Sequence, residues 1–129
     1  MRPRRPLGLT ATSARIVTVR SLTRGTVVAA RCAVADDLLS RGIGLLGRSG
    51  LGDGEALLIT RTSTITMLLM RFAIDAVFID RSWRVVRVAP RLRPWLPIVG
   101  APGAEAVIEL PAGAAERSGT QVGDVLTIA

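Results

Sequence analysis

Glu55, Asp75, Asp80, Asp124 and the lone thiol Cys32 are the residues whose types would suit chemistry. General acid–base work needs two groups whose environments push their pKa values apart. The chain has no histidine and no lysine, so carboxylates would have to do that work alone. Local context explains three of them. Asp80 opens a tight connection and Asp124 follows Gly123, and aspartate at such places caps backbone N–H groups. Glu55 begins a strand after glycines and reads as solvated. Asp75 differs: it sits in the middle of "MRFAIDAVFID", residues 70–80, among apolar residues. Cys32 has no histidine partner, and no serine lies in a nucleophile-elbow context. Enzyme is therefore the minority reading, with a carboxylate-dependent hydrolase-like activity as the runner-up.

A ligand contact is the next role for Asp75. Arg71, Ala73 and Asp75 share one parity along an extended segment, and at ~3.3 Å per residue Arg71 and Asp75 lie about 13 Å apart, too far to pair. Together with Thr66 they form the candidate ligand site, where an arginine fork could read a polar group. The structural alternative ranks ahead: Asp75 accepts backbone N–H bonds from the following loop and pairs with a neighbouring arginine, because buried carboxylates persist only when satisfied. Trp83, Trp95 and Leu96 fall at loops and are the candidates for a protein-partner surface. The leading expectation is a non-catalytic ligand-binding or accessory domain that takes a small polar ligand or a protein partner, with no cofactor. One cysteine and no histidine disfavour a zinc site.

The elements that must carry these residues are short strands. "RIVTVRS" and "TVVAARC", separated by "LTRG", read as a hairpin. After Asp36, Leu38, Leu39, Gly42, Ile43, Leu45 and Leu46 recur at helical spacing, with Asp37 and Arg41 four apart and Gly47 placed to end the helix. "SGLGDGE" is a turn and not a phosphate loop, since no lysine follows the glycines. "EALLIT", "STITMLLM" and "IDAVFID" read as strands, and "RVVRVAP" pairs with the last through Arg81-Ser82-Trp83. Proline breaks "RLRPWLPIVGAPGA" into an irregular excursion. "EAVIEL" alternates, with Glu105, Val107 and Glu109 on one face. "PAGAAERSG" offers a helical turn closed by Gly119, and "VGDVLTI" a last strand. The expected fold is mainly β (α+β): a small, mostly antiparallel curled sheet or barrel-like domain with one or two short helices.

The sequence has 129 residues, 49% of them hydrophobic, which suits one globular domain. Apolar runs such as "MLLM" and "ALLI" are far short of the roughly 20 residues of a membrane span. Residues 1–13 read as a disordered basic arm ahead of a domain over 14–129. Their apolar stretch, "PLGL", is well below the roughly 7–15 residues of an export signal, so a cytoplasmic location is expected. The net charge of +7 invites a nucleic-acid reading. All the basic residues are arginine, however, and the two Phe and two Trp do not interleave with them as a stacking surface requires. Nucleic acid is therefore a disfavoured partner.

The segments "RGIGLLGR", "GEALLI", "MRFAIDAVFIDRSWRVVRV", "LRPW", "AVIELPAGAAERSG" and "GDVL", in this order, resemble the bacterial and archaeal domain of unknown function 192 family over roughly residues 20–128. The resemblance implies a compact, mostly β domain with a short helix and a biochemical role that is unsettled. Thr66 stands where family members often carry a histidine or other polar group, and Ala73 where they usually have proline. Trp83 replaces a turn glycine. A bulky tryptophan tolerates φ > 0 poorly, so that turn is expected to change geometry.

Overall fold

A computed structural model describes residues 15–37, 41, 42, 44, 45 and 48–129. The expected N-terminal arm and most of the helix expected after Asp36 lie outside these residues. The two β-branched runs near the start form an antiparallel hairpin, β1 (Arg15–Ser21) and β2 (Val27–Ala35). Gly25 supplies the turn at φ 70°, a conformation open to glycine without steric penalty. β2 then runs parallel to β3 (Glu55–Thr60), with Ala33 opposite Leu57. The sheet is thus mixed. The segment between β2 and β3 is long enough to return the chain to the end at which β2 began, as a parallel crossover demands.

β5 (Ile74–Ile79), β6 (Val85–Leu92), β8 (Ala106–Pro111) and β9 (Leu126–Ile128) complete a seven-stranded sheet in the order β6-β5-β8-β3-β2-β1-β9. The sheet is strongly curled, so that its two edges meet at one end: Arg84 bridges Val125, Val85 N donates to the Asp124 carbonyl and Leu126 N to that of Trp83. β4 (Thr64–Ile65) and β7 (Val99–Gly100) form a separate two-stranded ribbon. Helix is scarce among the described residues; α1 (Ala114–Ser118) ends at Gly119, φ 71°.

Every residue of β5 is buried, as are Ala106–Leu110 of β8, because the middle of the sheet is covered on both faces. On one face Val17, Val19, Cys32, Leu58, Val77 and Ile108 pack with Ala115 of α1. On the other, Leu57, Ile59, Ala76, Phe78 and Val107 pack beneath Ile65, Met67 and Met70. Alternation therefore chooses between two cores here, not between core and water.

Two local expectations need correction. "STITMLLM" is a strand only at Thr64–Ile65. Beyond it Met70 N donates to the Met67 carbonyl in a turn through Leu69, φ 64°, and Met67 exchanges backbone bonds with Trp95 and Leu96 on the opposite loop. Cross-loop pairing has displaced the strand that propensity favoured. Trp83 also adopts the left-handed conformation, φ 64°. Asp80 holds that turn by accepting N–H bonds from Ser82 (2.8 Å) and Arg84 (3.0 Å), while the half-buried indole packs against the core.

Candidate functional site

Asp75 faces the core that contains α1. Its Oδ1 accepts the backbone N–H of Arg91 (2.8 Å), and its Oδ2 accepts those of Gly113 (3.0 Å) and Ala115 (2.9 Å). The need for it is local. β6 carries one extra residue between Leu92 and Ala89, so Pro90 and Arg91 bulge opposite Asp75 and the Arg91 amide leaves the ladder. Gly113 precedes α1 at φ 92° and brings no side-chain cap. Asp75 thus acts as the N-cap of α1 from a distant strand. The donors are a bulge and a helix start, not the loop that follows Asp75. Arg91 contributes its amide; its guanidinium reaches Glu116 at 3.5 Å.

The other core opens into a cavity of about 450 Å³. Its apolar wall is Leu45, Ile59, Ile65, Met70 and Ile98, and its polar lining is Arg41, Thr62, Thr64, Thr66 and Glu109. Glu109 is 5% exposed and stands between Leu57 of β3 and Ala76 of β5, neither of which offers a side-chain donor. Among the described residues no hydrogen bond or ion pair reaches its carboxylate. Neither oxygen is sealed without a partner, so the group looks out into the cavity. Burial pushes its pKa up to about 7. Arg41 does not offset this: its Nε and Nη2 donate to the carbonyls of Thr60 (2.7 Å) and Arg61 (2.6 Å). Thr62 donates to the Thr64 carbonyl (2.8 Å), and Thr66 Oγ1 accepts the Leu68 amide (3.1 Å).

Of the residues singled out in the sequence, Thr66 lines this cavity. Arg71 is exposed before β5, and Asp75 is on the opposite face of the sheet, so the three do not converge. Trp95 is 59% exposed and Leu96 half-buried. Cys32 is fully buried in β2, and burial pushes its thiol up to about 12. Asp124 is buried, which alone would raise its pKa; Arg24 at 3.1 Å and the Gln121 amide at 3.0 Å hold it below the usual value. Among the described residues no three His, Cys, Asp or Glu side chains gather as metal ligands would.

Glu109 is the residue that sequence reading passed over. The available signal was its shared parity with Val107 in a strand whose other face is also apolar, which leaves the carboxylate no wet side.

Comparison with curated proteins finds no match. Two crystal structures are similar. One, a protein of unknown function from Novosphingobium aromaticivorans, has 28% identity and a TM-score of 0.76, covering 88% of this chain and 84% of that one. The other, from Sinorhizobium meliloti and described as "a putative transcription regulator", has 24% identity and a TM-score of 0.80, covering 89% and 95%; at that identity the likeness concerns the fold. The model of domain of unknown function 192, described as "Uncharacterized ACR", matches residues 19–128. With its curled, mostly β sheet and a match over residues 19–128, the chain belongs to the domain of unknown function 192 family.

Proposed function

We propose that the protein is a non-catalytic binding module for a small ligand, and that its site is the cavity at Glu109 with Thr66 on the wall. One observation carries this reading: a carboxylate 5% exposed, without a protein donor among the described residues, opens into about 450 Å³ of space. Buried carboxylates are normally satisfied by the fold. One left facing an apolar cavity with a few polar groups matches the usual composition of small-molecule sites. A hydrolase-like enzyme ranks second, because Glu109 is the lone carboxylate among the described residues of the lining and acid–base work needs a second group. Arg71 and Asp75 contribute nothing to this cavity.

A partner surface is a further reading, favoured by Leu69 (61% exposed), Trp95 (59%) and Ile98 (72%) on the paired loops near the cavity. Leu96 and Trp83, both half-buried, would play a lesser part in it. The cytoplasm is the proposed location; among the described residues no helix is long and apolar enough to cross a membrane.

A fragment screen by amide chemical-shift mapping tests the proposal. Hits should move the amides of Ile65, Thr66 and Glu109. Hits confined to Leu69 and Trp95, or none at all, would overturn it.

A further inference from the structure

We infer that the cavity takes an aliphatic amine, with its ammonium nitrogen on the Glu109 carboxylate and its hydrocarbon body against Leu45, Ile59, Ile65, Met70 and Ile98. This rests on the cavity being a ligand site and names the chemical class of the ligand.

An ionised carboxylate only accepts hydrogen bonds, so whatever satisfies Glu109 must bring donors. The residues in register on either side, Leu57 and Ala76, have none. A charged nitrogen donor is the strongest complement to a carboxylate, and its charge offsets the penalty of burying one. An anionic ligand would meet Glu109 with like charge. Arg41 is poorly placed to rescue it, since two of its three guanidinium nitrogens are committed to the carbonyls of Thr60 and Arg61. Leu45, Ile59, Ile65, Met70 and Ile98 give the cavity an apolar wall, which favours a hydrocarbon body over a sugar or a nucleotide.

The charged groups around Glu109 leave it to set the pH response. Glu55 of β3 and Arg31 of β2 share its face of the sheet by register, and Glu55 pairs with Arg48 at 3.6 Å. Arg87 of β6, opposite Phe78, places its guanidinium 6.0 Å from that ring and donates to the Gly100 carbonyl. Asp75 of β5 faces the opposite side. Arginines stay charged throughout, and burial brings the Glu109 titration to about 7. An ammonium ligand requires the ionised form, so its affinity must rise with pH through that value. A ligand that accepts a hydrogen bond from the protonated Glu109 carboxyl must show the reverse.

The test is calorimetric titration of the whole chain with n-hexylammonium, 1-hexanol and hexanoate at pH 8.0 and 5.5, repeated with Glu109→Gln. Hexylammonium should bind tightest at pH 8.0 and lose roughly tenfold or more at pH 5.5, the direction that proton linkage requires. Butyl- and pentylammonium should weaken by roughly three- to fourfold per methylene removed. Glu109→Gln should lose roughly tenfold at pH 8.0 while its circular dichroism melt stays cooperative. The pH response of the parent protein stands as an independent reading if the variant melts early. Hexanol or hexanoate binding as tightly as hexylammonium, or a pH response of opposite sign, overturns the amine while leaving the cavity a ligand site. Silence from all three probes also overturns it, and the fragment screen then decides separately whether the cavity binds anything.

Discussion

Asp75 and Glu109 lie on neighbouring antiparallel strands one residue apart in register, since Asp75 faces Leu110 and Ala76 faces Glu109. Both are at least nine-tenths buried, yet the fold treats them differently. Asp75 points towards α1 and receives three backbone amides. Glu109 points to the other face and receives none among the described residues. Alternate parity on a sheet covered on both sides separates a structural carboxylate from one left available for a ligand. Sequence context alone would have ranked them the other way. Asp75 interrupts an apolar run and looks out of place; Glu109 follows a period that elsewhere marks a solvated face.

The largest expected effect is on Asp75. Asp75→Ala leaves three buried or half-buried amides without an acceptor, and should destabilise the protein by about 3–5 kcal/mol in urea unfolding. A variant within ~0.5 kcal/mol of the parent, the range of an ordinary surface change, would dissolve the contrast between the two carboxylates.

Glu109 should move stability in the opposite direction. Its folded pKa lies above the ordinary value of 4.5, at about 7, so the native state holds the proton more tightly than the unfolded chain does. Stability must then fall as pH rises from about 4.5 to about 7 and remain lowered above it. Glu109→Gln removes the charge, and should stabilise the protein by on the order of 3 kcal/mol at pH 8 and by almost nothing at pH 4. Parallel melting curves for parent and variant across that range would show that another group already satisfies Glu109.

Asp75→Asn sharpens the account of the cradle. The amide oxygen can still accept from one side, but its NH₂ group then faces donors on the other, so a loss of about 1–2 kcal/mol is expected, smaller than for alanine. Equal losses for asparagine and alanine in the same urea experiment would mean that charge, not acceptor geometry, holds α1.

Cys32→Ala is the smallest change and serves as the control. The thiol is buried on the same face as α1 and its pKa is pushed up to about 12, so it stays neutral across the range in which Glu109 titrates. Its loss should cost about 1 kcal/mol at every pH between 4 and 9. A slope that changes with this variant would mean the pH dependence does not belong to Glu109.

Much of the β framework was legible from local pattern. The β1–β2 hairpin, β3, β5, β6, β8 and the final strand follow from β-branched runs and their turn residues, and α1 ends at the glycine that chain chemistry predicts. The ribbon strand β4 is shorter than its sequence suggests, because "STITMLLM" has strand propensity throughout and only the facing Trp95–Leu96 loop decides where pairing stops. Thr66 was the part of the cavity that could be picked out, on its resemblance to a polar family position.

The sequence by itself determined the periodicities, the turns, the absence of histidine chemistry and the membership of a family. These depend on residues a few positions apart, whose geometry the backbone fixes locally. Tertiary structure alone decided which carboxylate is satisfied. The bulge at Arg91, the start of α1 at Gly113 and the strand bearing Asp75 are 16 to 40 residues apart in the chain, and only the curled sheet brings them together. The same closure leaves Glu109 between two strands that offer it no donor, and no local pattern records which groups a distant strand will bring.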